Sequence, residues 1–322
     1  MQHQKCSLNL YTSFLISNQN RYSGVELSKV SELSHDAVTR WLSAKEYTPK
    51  DLWNHVKPLV NPKSGYLVGD DSLIVKKYSR ENELAKLQYS GNVHGLVNGI
   101  CLVNLLWTDS EEYIPVDYRI YQKENDDRTK NDHFQDMLKR AKKRGFEPFY
   151  VLTDSWYSGV PNLKLIVKKL NWHFISSFKS NRKVSLTKGL YVSIENLPLT
   201  NKQVRKVWLK DYGYVLVCRI VDKDGGITYL GTSDLSLTDY QKFTDHFQSR
   251  WKIEEFHRGL KQTTGIEKCY ATRAECQRTH IFASFVAFVK LETTRIKDQI
   301  SWYEQKAVIG RSATATYLSG FA

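Results

Sequence analysis

Between Tyr66 and Phe178, short apolar runs alternate with amphipathic segments in an order that few architectures accept. Tyr66-Leu67-Val68 leads into Gly69-Asp70-Asp71-Ser72, a short apolar strand that delivers acidic residues at its C-terminal end. Leu96 to Trp107 and Tyr113 to Tyr121 read as two more strands, the second alternating and so half-buried, which predicts an antiparallel meander. A polar loop holding Asp126 and Asp127 follows. Lys130 to Arg144 then places Phe134, Met137, Leu138 and Ala141 at helical spacing until Gly145 stops it. Phe149 to Leu152 is a continuous apolar strand ending in Thr153-Asp154-Ser155, and Val160 to Leu170 reads as a helix returning to a strand at His173 to Phe178. That order is β-α-β.

Phe243 to Lys261 closes the pattern as one long amphipathic helix. At about 100° per residue, Phe247, Arg250, Glu254 and Lys261 share a face, while Ile253, Phe256 and Leu260 form an apolar stripe roughly opposite. Glu255 sits about 100° from Glu254 and points elsewhere. By itself the trio Arg250, Glu254 and Lys261 is equally well explained by an i, i+4 ion pair on a solvated face, contributing about 0.2–0.5 kcal/mol. Three strands, a helix, a strand, a helix, a strand and a late helix are the order expected of an RNase H-like fold. The expected class is therefore α/β, an RNase H-like mixed sheet flanked by helices.

An interruption precedes the late helix. From Lys179 to Lys210 lie Lys179, Arg182, Lys183, Lys188, Lys202, Arg205, Lys206 and Lys210, opposed only by Glu195. Alternating segments at Gln203 to Leu209 and Tyr214 to Val221, the Asp224-Gly225-Gly226 turn and a strand at Ile227 to Gly231 predict a β-rich insertion. Lys and Arg on one face of such strands suit a nucleic-acid backbone, with edge protection as the competing explanation for some of them.

Near the start, Val25, Leu27 and Val30 precede a Leu33-Ser34 turn, and Ala37, Val38, Trp41 and Leu42 follow at helical spacing. This reads as an all-α helix-turn-helix-like domain or, alternatively, an ordinary helical hairpin. Ser34 caps the second helix, Arg40 and Lys45 reach phosphates, and His35, Asp36 and Thr39 face base edges. The expected division is residues 1–62 for the helical DNA-binding domain, 63–178 for the first part of the catalytic core, 179–233 for the β insertion, and 234–322 for the second part of the core with C-terminal helices.

Charge narrows the partner. Lys+Arg 47 against Asp+Glu 34 gives +13, which favours a polyanion, most simply nucleic acid. No run of 18 or more apolar residues occurs, and MQHQKCSLNL lacks the apolar core of a signal peptide, which predicts a cytoplasmic, nucleoid-associated protein with no membrane partner. The five cysteines show no CxxC and read as free thiols. Asp126 and Asp127 read as solvated. His133 and His257 lack an i, i+4 ligand partner, which disfavours zinc. No phosphate-binding Gly-x-x-x-x-Gly-Lys-(Ser/Thr) appears.

In an RNase H-like sheet, Asp70 and Asp154 emerge at one edge where a helix carrying Glu254 can cover them. Three carboxylates can then hold two Mg²⁺ (or Mn²⁺) ions, hard cations that prefer oxygen ligands and act as a pair on a phosphodiester. Asp71 is the alternative to Asp70.

RWKIEEFHRGLK resembles the Tyr-x2-Arg-x3-Glu-x6-Lys signature of bacterial insertion-sequence DDE transposases, in the subgroup with a β-strand insertion before the catalytic Glu. GDDS at Asp70, YSGNVHGLVNGICLV and VLTDSWYSG at Asp154 are also similar to that family, over roughly Tyr66 to Thr279. The departure is Phe247, where the family has Tyr. The resemblance implies metal-dependent cleavage and strand transfer at the ends of an insertion sequence, some members passing through a hairpin. It implies double-stranded DNA, both transposon ends and target, as partner of a homodimer. It also implies Arg250 and Lys261 on phosphates, with Phe247 beside them. An insertion-domain Trp stacks on a flipped base in this subgroup, and Trp208 lies in the matching region, where cross-strand packing is the competing role. The insertion residues Lys202, Arg205 and Lys206 are expected on DNA. The alternatives are an RNase H-like endonuclease without strand transfer and a non-catalytic helix-turn-helix regulator.

Overall fold

The computed structural model describes residues 5–77, 79, 81–91, 93–123, 126–187 and 189–320. The apolar runs before Asp70 and Asp154 find each other. Strand β1 (Tyr66–Val75) pairs in parallel with β5 (Tyr150–Thr153), Tyr66 opposite Tyr150 and Gly69 opposite Thr153. The other side of β1 is taken by β3 (Gly95–Thr108), antiparallel, and β3 pairs with β4 (Ile114–Tyr121). Strand β6 (Phe174–Phe178) joins β5 in parallel. The run β4-β3-β1-β5-β6 is the RNase H-like arrangement, with the first and fourth strands of the predicted order side by side.

Two features of the sheet differ from expectation. Strand β1 does not end before Asp70 but runs on to Val75 along β3, so Asp70 lies within the strand and not at its C-terminal end. A short strand β2 (Lys86–Ser90) pairs with the start of β3 and lies at the sheet's edge. Its KLQYS sequence leaves Leu87 and Tyr89 exposed, so no buried alternation announced it. The predicted β-rich insertion joins the core sheet. Its strands β7 (Lys183–Ser185), β8 (Val192–Ser193), β9 (Val204–Leu209), β10 (Gly213–Val221) and β11 (Ile227–Thr232) continue the core sheet, because β11 pairs antiparallel with β6. Lys188 lies outside the described residues.

Helices cover both faces. On one face lies α5 (Lys130–Lys143), whose Phe134 ring packs against Gly69; a Cβ there would stand 2.2 Å from the ring, so only glycine admits the helix. Helix α6 (Val160–Lys164) runs on as a single wide turn over Leu165–Lys169. On the other face lie α7 (Tyr240–Gln248) and α8 (Lys252–Thr264). The predicted single helix is broken between them by a tighter turn at Ser249–Trp251, and Ser249, buried, exchanges a 2.8 Å hydrogen bond with Ser110 there. Gly265, at φ +64, ends α8 in the left-handed conformation that glycine adopts at low cost.

The N-terminal helices are α1 (Leu8–Ser17), α2 (Gly24–Lys29), α3 (His35–Ala44) and α4 (Pro49–Val56), and Ser34 caps α3 as predicted through Ala37 N–H at 3.2 Å. Their apolar faces do not close on themselves alone. Tyr11, Phe14, Leu15, Trp41 and Leu42 share a core with Cys276, Ala283 and Ala287 of the long buried helix α9 (Ala274–Asp298). Lys306 of α10 (Trp302–Ser319) fastens the assembly: its ammonium donates to the carbonyls of Ile16 (3.0 Å) and Asn18 (2.6 Å) at the end of α1 and of Thr263 (3.1 Å) at the end of α8. The five cysteines are free, four of them buried and Cys6 half-buried. No helix among the described residues is long and apolar enough to cross a membrane.

Candidate active site

Strand alternation sorts the two adjacent aspartates onto opposite faces. Asp71 turns toward α5, where it accepts from Lys130 Nζ at 2.7 Å and from the Tyr157 hydroxyl at 2.9 Å, with the Cys101 thiol at 3.8 Å. Its oxygens are committed to holding the fold. Asp70 turns toward α8 and accepts from the Asp71 backbone N–H at 2.8 Å. Burial, then the neighbouring charges of Asp154 and Asp71, push its carboxyl up to about 8.

Asp154 follows β5 immediately, one register step beyond the Gly69–Thr153 pair. Its Oδ1 accepts from the backbone N–H groups of Trp156 (2.9 Å) and Tyr157 (3.2 Å), which fix the carboxylate at the head of the following turn. Burial raises its pKa against those two hydrogen bonds. Glu254, on the first turn of α8, accepts from Arg250 at 2.7 Å. The Arg250 charge is also felt by Asp70 and by Asp154, lowering both. One guanidinium thus sits among three carboxylates. Glu255 is turned away, as the helical phase requires, and accepts from the Tyr113 hydroxyl at 2.7 Å.

Asp70, Glu254, His257, Arg258 and Lys261 line one cleft of about 780 Å³, and Asp154 lies outside its lining. Lys261 donates to the Leu73 carbonyl of β1 at 2.7 Å and lies 3.4 Å from Glu267. Phe247 is half-buried, with the Arg250 guanidinium 5.6 Å from its ring centre. Two residues whose place here was not legible in the sequence complete the floor. Asn104, directly opposite Asp70 on β3, hydrogen-bonds His257 Nε2 at 2.9 Å, and its Oδ1 is buried without a partner among the described residues. Burial, then Lys261, holds His257 neutral with its pKa down at about 3. The signal was the one polar residue in the apolar run LVNLLW, legible only once the register with β1 was known.

The donor set is all oxygen, as hard divalent cations require. Among the described residues, however, no three Asp, Glu, His or Cys side chains are already gathered tightly enough to grip an ion, and Glu254 is held by Arg250. The three predicted carboxylates converge on one region without forming a closed cage.

The remaining predicted contacts are dispersed. Arg205 and Lys206 are neighbours on β9 and therefore face opposite sides of the sheet, which corrects the expectation of a single basic strand face. Lys206 is exposed, 4.4 Å from the Tyr214 ring centre; Arg205 is half-buried and reaches the Pro198 carbonyl at 3.5 Å. Lys202 is exposed at φ +64 beside the Tyr240 ring. Trp208 is paired across β9–β10 with Tyr214, ring centres 4.9 Å apart, the packing arrangement. Arg40 and Lys45 are exposed on and just after α3, with His35, Asp36 and Thr39 also exposed. Asp126 is not solvated as expected but lies 2.5 Å from His133 Nε2.

The chain matches the family described as Transposase DDE domain over residues 101–289 and that described as DDE superfamily endonuclease over residues 2–190. It belongs to the DDE transposase superfamily. This DDE transposase is a nucleic-acid-cleaving enzyme, of a family that generally uses divalent metal. No curated protein matches it. Among solved structures it is similar to the piggyBac transposase in a synaptic complex with hairpin DNA, at 11% identity and a TM-score of 0.57, covering 94% of this chain and 68% of the other. That likeness supports the RNase H-like fold. The Drosophila P element transposase strand transfer complex aligns at 8% identity and a TM-score of 0.32, covering 95% and 84% of the two chains.

Proposed function

We propose that this transposase cleaves double-stranded DNA at the ends of an insertion sequence and joins them to a target, with Asp70, Asp154 and Glu254 as ligands of two Mg²⁺ or Mn²⁺ ions. The observation that carries the reading is the placement of Asp70, midway along β1, beside Asp154, which directly follows the parallel strand β5, with Glu254 of α8 lining the cleft that Asp70 lines. The fit with a cation rests on charge. Asp70 is crowded by two carboxylates, and Arg250 already supplies positive charge at that place.

When bound, such an ion pair supplies activation of a water or 3′-hydroxyl and stabilises the leaving oxygen. The chain's own residues do the rest. Trp156 and Tyr157 N–H groups hold Asp154 in one orientation. Asn104 fixes the His257 ring against the cleft floor. Arg250, on meeting a DNA phosphate, exchanges the Glu254 carboxylate for it and so frees Glu254 as a ligand. Lys261 and, across the break in the helix, Phe247 flank the strand.

In this reading Lys202 and Lys206 bring charge to the DNA backbone from the insertion, residues 179–233, while Arg205 lies on the opposite strand face. Arg40 and Lys45 of the helical segment, residues 1–62, contact phosphates beside bases read by His35 and Thr39. Two copies act together on two ends. A strand-transfer assay on DNA flanking the coding region tests it: joined products in Mg²⁺ support the reading, cutting without joining assigns an endonuclease, and binding without cutting a regulator.

A further inference from the structure

Strand β3 outruns its partner β1, which pairs only from Gly99 onward, so the hairpin of β2 and the first residues of β3 projects past the body of the sheet. Its outward face is apolar. Leu87 and Tyr89 are two residues apart on β2, and Tyr89 lies directly opposite Leu96 on β3; the three are 71%, 68% and 70% exposed, and Val93 in the turn is 63% exposed. Scattered apolar residues on a surface need no explanation, but a contiguous group on an edge strand is a liability unless something covers it.

The place of this face says what the cover is. Tyr89 and Val93 line the same cleft as Asp70, Glu254 and Lys261, so whatever brings a phosphodiester to Asp70 passes against the hairpin. A second copy is the poorer occupant, since the cleft that Tyr89 and Val93 line is the one DNA has to enter. We propose that the β2–β3 hairpin is an apolar wedge that packs against the base steps of DNA at the cleavage point and opens their stacking, presenting the strand to Asp70. Apolar side chains inserted between base steps do this elsewhere at the cost of unstacking, about a few kcal/mol per step. This rests on the proposed DNA-cleaving role of the cleft.

The test compares the wild type with a variant carrying Leu87→Thr, Tyr89→Thr, Val93→Thr and Leu96→Thr. The probes are a paired duplex and the same duplex with a two-base mismatch that is already unstacked, read by fluorescence anisotropy over a salt series. A wedge favours the pre-opened duplex, so the wild type is expected to prefer it about ten-fold and the variant less than two-fold. The salt slope should not change, because no phosphate-contacting charge is removed. In parallel, 2-aminopurine beside the opened step should brighten with wild type and stay dim with the variant. Equal preference in both proteins overturns the proposal, as does a variant that loses only its dimer mass in light scattering, which would make the face a contact between copies. If the wild type binds neither duplex, the DNA-cleaving role itself fails, an outcome distinct from loss of preference. Should the fourfold variant not fold, Tyr89→Thr alone, at an exposed edge position, is read in the same way.

Discussion

Replacing Asp70 and Asp71 by Asn, one at a time, separates the carboxylate that holds the fold from the one assigned to chemistry. Asp71 accepts from Lys130 at 2.7 Å and Tyr157 at 2.9 Å. A hydrogen bond to a charged group contributes about 1.5–3 kcal/mol, and the amide of Asp71→Asn turns an NH₂ toward one of those donors. The expected loss is about 2–3 kcal/mol of unfolding free energy. Asp70 is the reverse case. With its folded pKa raised to about 8 and an unfolded value of about 3.9, the folded chain binds more protons than the unfolded one between those values. Stability of the metal-free enzyme therefore falls as pH rises through that window. Asp70→Asn removes this contribution, so at neutral pH without metal the variant should be as stable as the wild type or more so, and inactive. Urea unfolding in chelator at a series of pH values between about 5 and 8, paired with a cleavage assay, reads both. Equal destabilisation by the two changes, or an inactive but fully stable Asp71→Asn, refutes the assignment.

Other consequences follow from the same contacts. Glu254→Gln should be inactive, while Glu255→Gln, which touches Tyr113 instead of the cleft, should keep part of its cleavage activity; the reverse result overturns the helical phase. Lys306→Met should cost about 2–3 kcal/mol by chemical denaturation, because the carbonyls at the ends of α1 and α8 lose their shared charged donor. Changing Lys202, Arg205 and Lys206 together to Gln should flatten the slope of log K against log salt by about 0.9 for each phosphate of duplex DNA that is no longer neutralised. Since Arg205 and Lys206 face opposite sides, we expect a change of about one to two units, not three, and an unchanged slope would show these charges to be solvated.

What the sequence disclosed was whatever its local periodicity determines. The apolar runs ending in Asp70 and Asp154 and the separation of Glu254 from Glu255 depend on strand and helix phase, which side-chain pattern sets directly. Three features depended on long-range partners and so were hidden. Strand β2 exists through its ladder with β3, its own apolar residues being exposed. The break at Ser249–Trp251 is tied to Ser110 across the fold. Asn104 and His257 meet only because β3 lies beside β1 in a register that places Asn104 opposite Asp70. Of the predicted DNA contacts, Arg205 and Lys206 were grouped by composition, and strand alternation divides them.

On the proposed function, Asp154 acts on the phosphodiester and not on DNA affinity. Cleavage of DNA from the flanks of the coding region in Mg²⁺, measured for wild type and Asp154→Ala with gel-shift titration on the same DNA, tests it most directly. Asp154→Ala is expected to bind within about two-fold of wild type, since no phosphate contact is removed, and to show no metal-dependent cutting. Cutting at the wild-type rate by Asp154→Ala would contradict it.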